Sequence, residues 1–445
     1  MNMPWTLARQ TARDAAKPTD AVELALPDAA GLALASAVRA LAGQPTCATS
    51  AMDGYAVAGP GPWTVLGRVA AGDSPPGLVL RPGEAFGVAT GAPVPDGSDA
   101  VVPVELCSTD GAFLIAEALR GKHIRRRGED WSAGDELVPA GSRITPAVLG
   151  LAAAAGHDTL LAHRRPRVAV IVTGDELLHA GPPRPGRVRD AIGPMLPGLL
   201  HGAEFLGTAH LRDDPSALAA ALTTDLAGGV MPTAFTSGQA HGLTPELTAS
   251  PASGQAHGPT PELTAFLTSN QAHGLDADLI PEPTGAFTTH QADVIVTCGA
   301  TSVGPADHLR RVLATLGAEV LVSGVACRPG HPMLLAVLPD GRCVVGLPGN
   351  PFAAYAAVLT LLRPLLDTLS GHAARPPVTA WLGDVHAHPR DTRLVPVTRS
   401  GGLAVPVGHD RPGSLWGAAL ADAVAVVPPG HRGGEVEVLT SGSAS

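Results

Sequence analysis

The chain has 445 residues, a formal net charge of −10 and a pI near 5.9. This length is more than one hydrophobic core usually serves, and it predicts two to four domains. The acidic balance argues against nucleic acid or an acidic membrane surface as the partner.

The cysteines and the N-terminal sequence indicate the cellular compartment of the protein. The five cysteines, at positions 47, 107, 298, 327 and 343, form no CxxC pair and do not cluster with histidines. Reduced thiols are therefore expected rather than a zinc site or a disulfide framework. The N-terminus lacks the apolar core of a signal peptide, and we expect no uninterrupted apolar run long enough to cross a bilayer. These features predict a soluble, cytoplasmic protein.

The first forty residues carry a helical pattern. Alanines and leucines recur three and four positions apart from Trp5 to Arg39. Pro27 and Asp28 are typical residues for the start of a helix, which predicts a second helix from Ala29 to Leu41.

Short apolar runs broken by glycine and proline follow Pro45 and predict a β-rich region. Helical pattern returns at Thr145 to Ala155, and the chain past Gly371 predicts a small separate β domain. The predicted strands are Trp63 to Ala70, Glu84 to Thr90 and Ala100 to Glu105 in the first region, and Val378 to Leu382, Arg393 to Thr398, Ala404 to Gly408, Ala423 to Val427 and Glu435 to Leu439 in the last.

Three segments between these regions share one design, an apolar strand that ends in a small, glycine-rich turn. They begin at Arg167, Asp293 and Arg342, and a helix from about Ala306 to Leu316 is predicted after the second. Such repeats imply a parallel sheet whose carboxyl edge carries the functional site.

The third of these strands runs into a long apolar helix. Pro348 and Gly349 mark a turn, Asn350 suits the N-cap, and Pro351 suits the first helical position. The first N–H groups of this helix, with the helix dipole, would hold a phosphate or oxyanion. A plain strand-to-helix connection is the alternative.

Residues 228–290 contain a repeat with a period of sixteen residues, in which SGQAHG recurs at 237 and 253 and SNQAHG at 269. Each unit has few apolar side chains, so a mobile surface insertion is favoured over a solenoid. The wide spacing of His241, His257 and His273 argues against a metal tract.

Several polar motifs are ambiguous when each is taken alone. Asp53 could close an Asx-turn, and the charge run from Arg125 to Asp130 could be a solvated loop. Their order along the chain is more informative. The motifs SAMDGYAV, TGAPVPDGSDAVVPVE, HIRRRGEDWSAGDELVPAG, VIVTGDEL, RDDP, TSVGPAD, RPGHP and GLPGNP are collinear. This set resembles the molybdopterin molybdenumtransferase family, which includes MoeA and the E domain of gephyrin.

The resemblance implies an enzyme that inserts molybdate into adenylylated molybdopterin and releases AMP with the help of Mg²⁺. It also implies a homodimer with the active site between the β-rich part of one subunit and the α/β domain of the other, and it allows a molybdopterin adenylyltransferase as partner. The family's acidic positions fall on Asp53, Asp130, Glu176, Asp213 and Asp307, of which the first three are the expected metal ligands. The substrate-binding positions fall on Thr90, Ser302, Arg328, His331, Pro348, Gly349, Asn350, Pro351 and Ser414.

The basic segment departs from the family pattern. One lysine position is Gly324, a second is Arg328 and a third is His331. Arginine spreads its charge over a fork, and a histidine ring is only partly charged near neutral pH. Ala300 replaces a glycine of the TGG turn, and Ile192 replaces the Asn of Asp-x-Asn. Anion binding is thus weakened while the acidic positions are retained.

These observations predict a divergent member with a multidomain α/β fold. We expect a β-rich N-terminal region (1–163), a central molybdopterin-binding α/β domain with a parallel-type sheet (164–371), and a C-terminal β domain (372–445). The altered basic segment leaves two alternatives open. One is a non-catalytic carrier or regulator that binds a molybdopterin nucleotide, and the other is an enzyme of related fold acting on a different nucleotide or pterin.

Overall fold

The computed structural model describes residues 2–110, 113–223, 289–299, 308–374 and 376–440. Two compact units account for them. The larger comprises Met1–Lys17, Arg165–Leu369 and Ala374–Ser445, and the smaller comprises Pro18–Arg164 with Ser370–Ala373. The first helix, α1 (Trp5–Asp14), belongs to the larger unit. The predicted domain boundaries stay a prediction, as does the character of the repeat, which lies outside the described residues.

The smaller unit is β-rich, as its glycine and proline punctuation predicted. Its elements are β1 (Ala21–Ala25), β2 (Val38–Arg39), β3 (Thr49–Ser50), β4 (Gly54–Val57), β5 (Trp63–Val69), β6 (Glu84–Val88), β7 (Ala100–Pro103), β8 (Ser108–Asp110), β9 (Phe113–Ile115), β10 (Ile124–Arg125), β11 (Glu136–Val138), α2 (Pro146–Ala154) and β12 (Thr159–His163). One six-stranded sheet has the order β7-β4-β6-β5-β9-β8. Thr145 caps α2 by accepting the N–H of Val148 at 3.3 Å.

The predicted helix from Ala29 to Leu41 is wrong. Residues 26–31 form turns, and β2 begins at Val38. The backbone bonds there run to a distant segment, because the N–H of Gly31 donates to the carbonyl of Ile144 and that of Leu34 to the carbonyl of Ser142. Gly31 has a φ of +80°, outside the helical region. Tertiary pairing therefore overrides an alanine-rich helical pattern.

The larger unit is built on a mostly parallel sheet. Its elements up to residue 369 are β13 (Arg167–Thr173), β14 (Leu177–Leu178), β15 (Val188–Arg189), α3 (Ile192–Met195), β16 (Glu204–Leu211), α4 (Pro215–Thr223), β17 (Val294–Cys298), α5 (His308–Thr315), β18 (Glu319–Ser323), β19 (Cys327–Arg328), β20 (Leu334–Val337), β21 (Cys343–Leu347) and α6 (Pro351–Leu369). The sheet order is β16-β13-β17-β21-β20-β18. The first four strands are parallel, which confirms the prediction, and the last two pair antiparallel.

Both faces of this sheet are covered. Along β13 the side chains of Val168, Val170 and Val172 enter one apolar core, and those of Ala169 and Ile171 enter another. Successive residues of a strand point to opposite faces, so a strand buried on both faces reads as a continuous apolar run. That is why β13, β17 and β21 were recognisable from the sequence.

The long helix α6 packs inside the larger unit. By length and composition it is the one described helix that could cross a membrane, but 78% of its most apolar stretch is buried inside the protein. A π-helical segment, Val358–Leu362, lies at its middle. There Thr360 accepts a hydrogen bond from the indole N–H of Trp5 at 3.1 Å. This bond ties α1 to α6.

The C-terminal sheet closes on itself. It contains β22 (Thr379–Leu382), β23 (Thr392–Ser400), β24 (Leu403–Pro406), β25 (Ala423–Val427) and β26 (Gly434–Leu439), with the short helix α7 (Trp416–Leu420) before β25. The order is β19-β23-β24-β22-β26-β25, and β25 pairs again with β23. The result is a small barrel with its own apolar core, as the strand-like pattern past residue 371 predicted.

Candidate active site

Three turns meet at the carboxyl edge of the parallel strands. The N–H of Gly299, after β17, donates to the carbonyl of Leu347 at the end of β21, and the hydroxyl of Thr173 at the end of β13 donates to the carbonyl of Cys298. Gly299 has a φ of +90°, and a Cβ there would lie 2.9 Å from the carbonyl oxygen of Thr173. Glycine is therefore required for this close approach. The parallel strands thus bring the starts of these turns together at one edge of the sheet.

Glu176 and Asp213 lie at this edge. Both are exposed, and the N–H of Asp175 donates to Oδ2 of Asp213 at 3.2 Å. The bond joins the turn after β13 to the segment after β16. Because β13 and β16 are adjacent parallel strands, the two acidic motifs are brought to one place although they are far apart in sequence.

The GLPGNP turn differs from expectation in one respect. Helix α6 begins at Pro351 as predicted, but Asn350 occupies the N-cap without a side-chain capping bond. The N–H groups of Phe352 and Ala353 donate to the carbonyl of Pro412, at 2.9 and 3.3 Å. The prediction that the first helical N–H groups would hold an anion is wrong for these two, because a protein carbonyl occupies them.

A cleft of about 270 Å³ lies beside this helix start. Arg328, Pro329, His386, His388, Arg393, Asp410 and Pro412 line it. Arg328 donates to Asp391 at 3.0 Å, and Arg393 forms an ion pair with Asp410 at 2.5 Å. The hydrogen bond to Asp410 raises the pKa of Arg393, so its guanidinium stays charged. Each arginine of the cleft is thus paired with an aspartate.

Ser414 and His331 lie in the same unit as this cleft. Ser414 accepts the N–H of Trp416 at 3.3 Å and lies two residues past Pro412. Within the described part of the chain, Nδ1 of His331 is buried without a hydrogen-bond partner. A buried ring nitrogen of this kind is suited to a polar ligand.

The smaller unit holds Asp53 and Thr90 in contact. The backbone N–H of Thr90 donates to Oδ1 of Asp53 at 2.7 Å, and both residues are exposed. Asp53 therefore ties two loops together across 37 positions rather than closing a local Asx-turn. Next to it, a Cβ on Gly54 would lie 2.0 Å from the carbonyl oxygen of Val102, which fixes the backbone at this point.

Asp130 is paired with Arg125. One guanidinium nitrogen lies 2.6 Å from Oδ1 and 2.5 Å from Oδ2 of the carboxylate, and both side chains are partly exposed. Exposed carboxylates such as that of Asp53 in the smaller unit and that of Glu176 in the larger unit are each the kind of oxygen donor that Mg²⁺ prefers. Asp130 fits less well, because Arg125 contacts both of its oxygens.

Two predicted residues, Ser302 and Asp307, lie outside the described residues, as does Ala300.

The sequence analysis missed two features of the site. One is the carbonyl of Pro412, because a backbone group leaves no trace in the pattern of side chains. The other is a cluster of His179, Asp190 and His210, whose members are too far apart in sequence to match a spacing motif. Burial and the neighbouring His210 lower the pKa of His179.

Comparison with known proteins identifies the family. The "MoeA N-terminal region (domain I and II)" model matches residues 3–156, and the "Probable molybdopterin binding domain" model matches residues 276–368. Molybdopterin molybdenumtransferase 2 of Mycobacterium tuberculosis is 32% identical over 366 residues, which cover 79% of this chain and 75% of the relative. Molybdopterin molybdenumtransferase of Synechococcus elongatus is 30% identical over 350 residues, covering 75% and 71%.

Solved structures agree. The chain is similar to a molybdopterin biosynthesis MoeA protein from Pyrococcus horikosii, with a TM-score of 0.70, 25% identity and full coverage of both chains. The sequence motifs, the fold and the turns at the sheet edge all indicate the same family. The chain belongs to the molybdopterin molybdenumtransferase family.

Proposed function

We propose that this protein inserts molybdate into adenylylated molybdopterin and releases AMP, which completes molybdenum cofactor biosynthesis. The observation that carries the proposal is the 32% identity to a molybdopterin molybdenumtransferase over 79% of the chain. The carrier and related-enzyme alternatives gain no support from a specific structural observation.

The chemistry of the edge supports this function. Releasing AMP cleaves a phosphoanhydride, a reaction that requires anion-binding groups and carboxylates in fixed positions. Glu176 and Asp213 supply acidic groups at the sheet edge, and the Pro348–Pro351 turn supplies backbone close to Gly299. Arg328 and Arg393, each ion-paired with an aspartate, line the neighbouring cleft with N–H donors. In this proposal the cationic groups bind the oxyanions and the carboxylates orient the reacting groups.

Asp53 and Thr90 form a second functional pair in the proposal. Thr90 keeps the Asp53 carboxylate in place through its N–H, so that the charge is presented to solvent at little reorganisation cost. Mg²⁺, when bound, would neutralise phosphate charge, and the carboxylates of Asp53 and Asp130 in the smaller unit and of Glu176 in the larger unit are each oxygen donors for it. Asp130 would share its carboxylate with Arg125. We also propose a cytoplasmic homodimer that receives its substrate from a molybdopterin adenylyltransferase.

The decisive experiment measures AMP release from adenylylated molybdopterin by the purified protein, with Mg²⁺, across a molybdate titration. Molybdate-dependent AMP release is expected. Nucleotide binding without release at any molybdate concentration would favour the carrier, and no binding would overturn the proposal. An Asp28→Asn variant, altered at an exposed acidic residue away from the proposed sites, is the matched control and should release AMP as the unaltered protein does.

A further inference from the structure

A cluster of two histidines and one carboxylate lies in the larger unit. It consists of His179, directly after β14, Asp190, directly after β15, and His210, near the end of β16. One potential ligand atom from each residue lies within 4.8 Å of the others. The rings of His179 and His210 meet edge to face, with 4.1 Å between their centroids. Three separate segments therefore contribute to one polar cluster.

Asp190 is held in a fixed orientation. The residue is 7% exposed, and its Oδ1 accepts the N–H groups of Ile192 and Gly193, at 3.0 Å each. A Cβ on Gly193 would lie 2.4 Å from Oδ2, so the missing side chain leaves room for this oxygen. The backbone thus anchors one oxygen and directs the other toward His210.

The separation between Oδ2 of Asp190 and Nε2 of His210 is 3.4 Å. A strong N–H···O hydrogen bond is shorter, at about 2.9 Å. Two ligands of a tetrahedral zinc ion, bound at about 2.0–2.1 Å, are about 3.3–3.4 Å apart. The pair is therefore spaced like two ligands of one metal ion.

We propose that His179, Asp190 and His210 bind one divalent first-row transition metal ion of the zinc class. Two imidazole nitrogens and one carboxylate oxygen suit Zn²⁺, Fe²⁺, Co²⁺ or Ni²⁺ better than Mg²⁺, which prefers oxygen donors. Three protein ligands leave a coordination position for water. This site shares no residue with the acidic set assigned to Mg²⁺, and the inference does not depend on the proposed molybdenum transfer.

The metal would connect segments that carry the candidate acidic residues. Glu176 lies three positions before His179, and Asp213 lies three positions after His210. The N–H of Asp190 also donates to the carbonyl of Leu178, which already holds the β14 and β15 segments together. A metal ion here would fix these segments to the end of β16 and so hold the sheet edge in one conformation.

The test uses the full-length protein, stripped with chelator and titrated separately with Zn²⁺ and Co²⁺. One equivalent of Co²⁺ should give the ligand-field absorption of a low-symmetry, nitrogen- and oxygen-ligated ion, and Zn²⁺ should displace it and raise the thermal unfolding midpoint. The His210→Ala variant should bind Zn²⁺ at least about tenfold more weakly, because changes even beyond the ligands cost 10–100-fold. His179→Ala, at a half-buried residue, gives a second test should His210→Ala fail to fold.

Two controls separate this site from other histidines. His201→Ala changes an exposed histidine just before β16 and should leave Zn²⁺ affinity unchanged. A combined His241→Ala, His257→Ala and His273→Ala variant, altered in the repeat, should also bind normally. Equal affinity in the His179, His210 and His201 variants, loss of binding in the repeat variant, or no absorption with Co²⁺ would each overturn the proposal.

Discussion

The carbonyl of Pro412 accepts the backbone N–H of Phe352 at 2.9 Å, so a residue of the C-terminal barrel segment caps α6, the longest helix among the described residues of the α/β domain. The same carbonyl accepts the N–H of Ala353. Helix starts leave several N–H groups without intrahelical partners, and here another part of the larger unit supplies the acceptor. The folding of the barrel and of α6 should therefore be coupled.

Replacement of Phe352 by alanine should destabilise the protein by about 3–5 kcal/mol, the usual cost of removing a fully buried phenylalanine. Phe352 has no exposed surface, and its ring stacks against that of Tyr355 at 6.2 Å. Urea unfolding measures the change. Leu403→Ala is the control, because Leu403 is 51% exposed and its loss should matter by less than about 0.5 kcal/mol. Equal effects of the two substitutions would contradict the packing described for α6.

Replacement of Asp53 by asparagine should reduce molybdate-dependent AMP release by at least about 100-fold and leave thermal stability nearly unchanged. Asparagine keeps an oxygen that can accept the N–H of Thr90, but it removes the charge. Asp53→Ala removes the acceptor too and should cost about 1 kcal/mol of stability as well. A large loss of stability in the asparagine variant would show that the residue is structural.

Restoring the family's lysine at Gly324 should destabilise the protein rather than improve anion binding. Gly324 has a φ of +89°, and a Cβ there would lie 3.1 Å from Oδ1 of Asn2. A left-handed conformation costs a residue with a side chain about 1–2 kcal/mol. Thermal unfolding of Gly324→Lys tests this expectation. Gly324→Asn is the control and should lose less, because asparagine tolerates this conformation better; an unchanged midpoint for the lysine variant would refute the argument.

Thiol labelling should distinguish the cysteines in the folded protein. Burial raises the pKa of Cys327 to about 12 and that of Cys343 to about 11, and it also raises the pKa of Cys298. A raised pKa leaves little thiolate at pH 8, and thiolate is the reactive form. Burial and Glu105 also raise the pKa of Cys107, so a disulfide reagent at pH 8 should label Cys47 first and Cys107 more slowly, with all five thiols labelled after unfolding. Rapid labelling of all five in the folded state would contradict the burial.

The parallel strands were predictable because a strand that is buried on both faces consists of an unbroken run of apolar residues, as β13 does. The start of α6 was predictable because Pro351 suits the first helical position. The segment from Ala29 to Leu41 was not, since its conformation depends on bonds to Ile144 and Ser142 that no local pattern records. The same holds for the site. Glycine-rich turns at strand ends predicted a site at the sheet edge. The contact with the Pro412 carbonyl and the histidine cluster could not be predicted, because they form only when distant segments of the chain fold together.

The bond between Trp5 and Thr360 has a consequence for synthesis on the ribosome. Helix α1 packs against a helix made more than three hundred residues later, and the chain between them includes most of the smaller unit. During translation, Pro18–Arg164 can complete most of its own contacts early, but α1 has no place to dock until α6 emerges. The N-terminal helix can therefore dock only late in translation. Nascent chains released before residue 360 is made should expose its apolar face to chaperones.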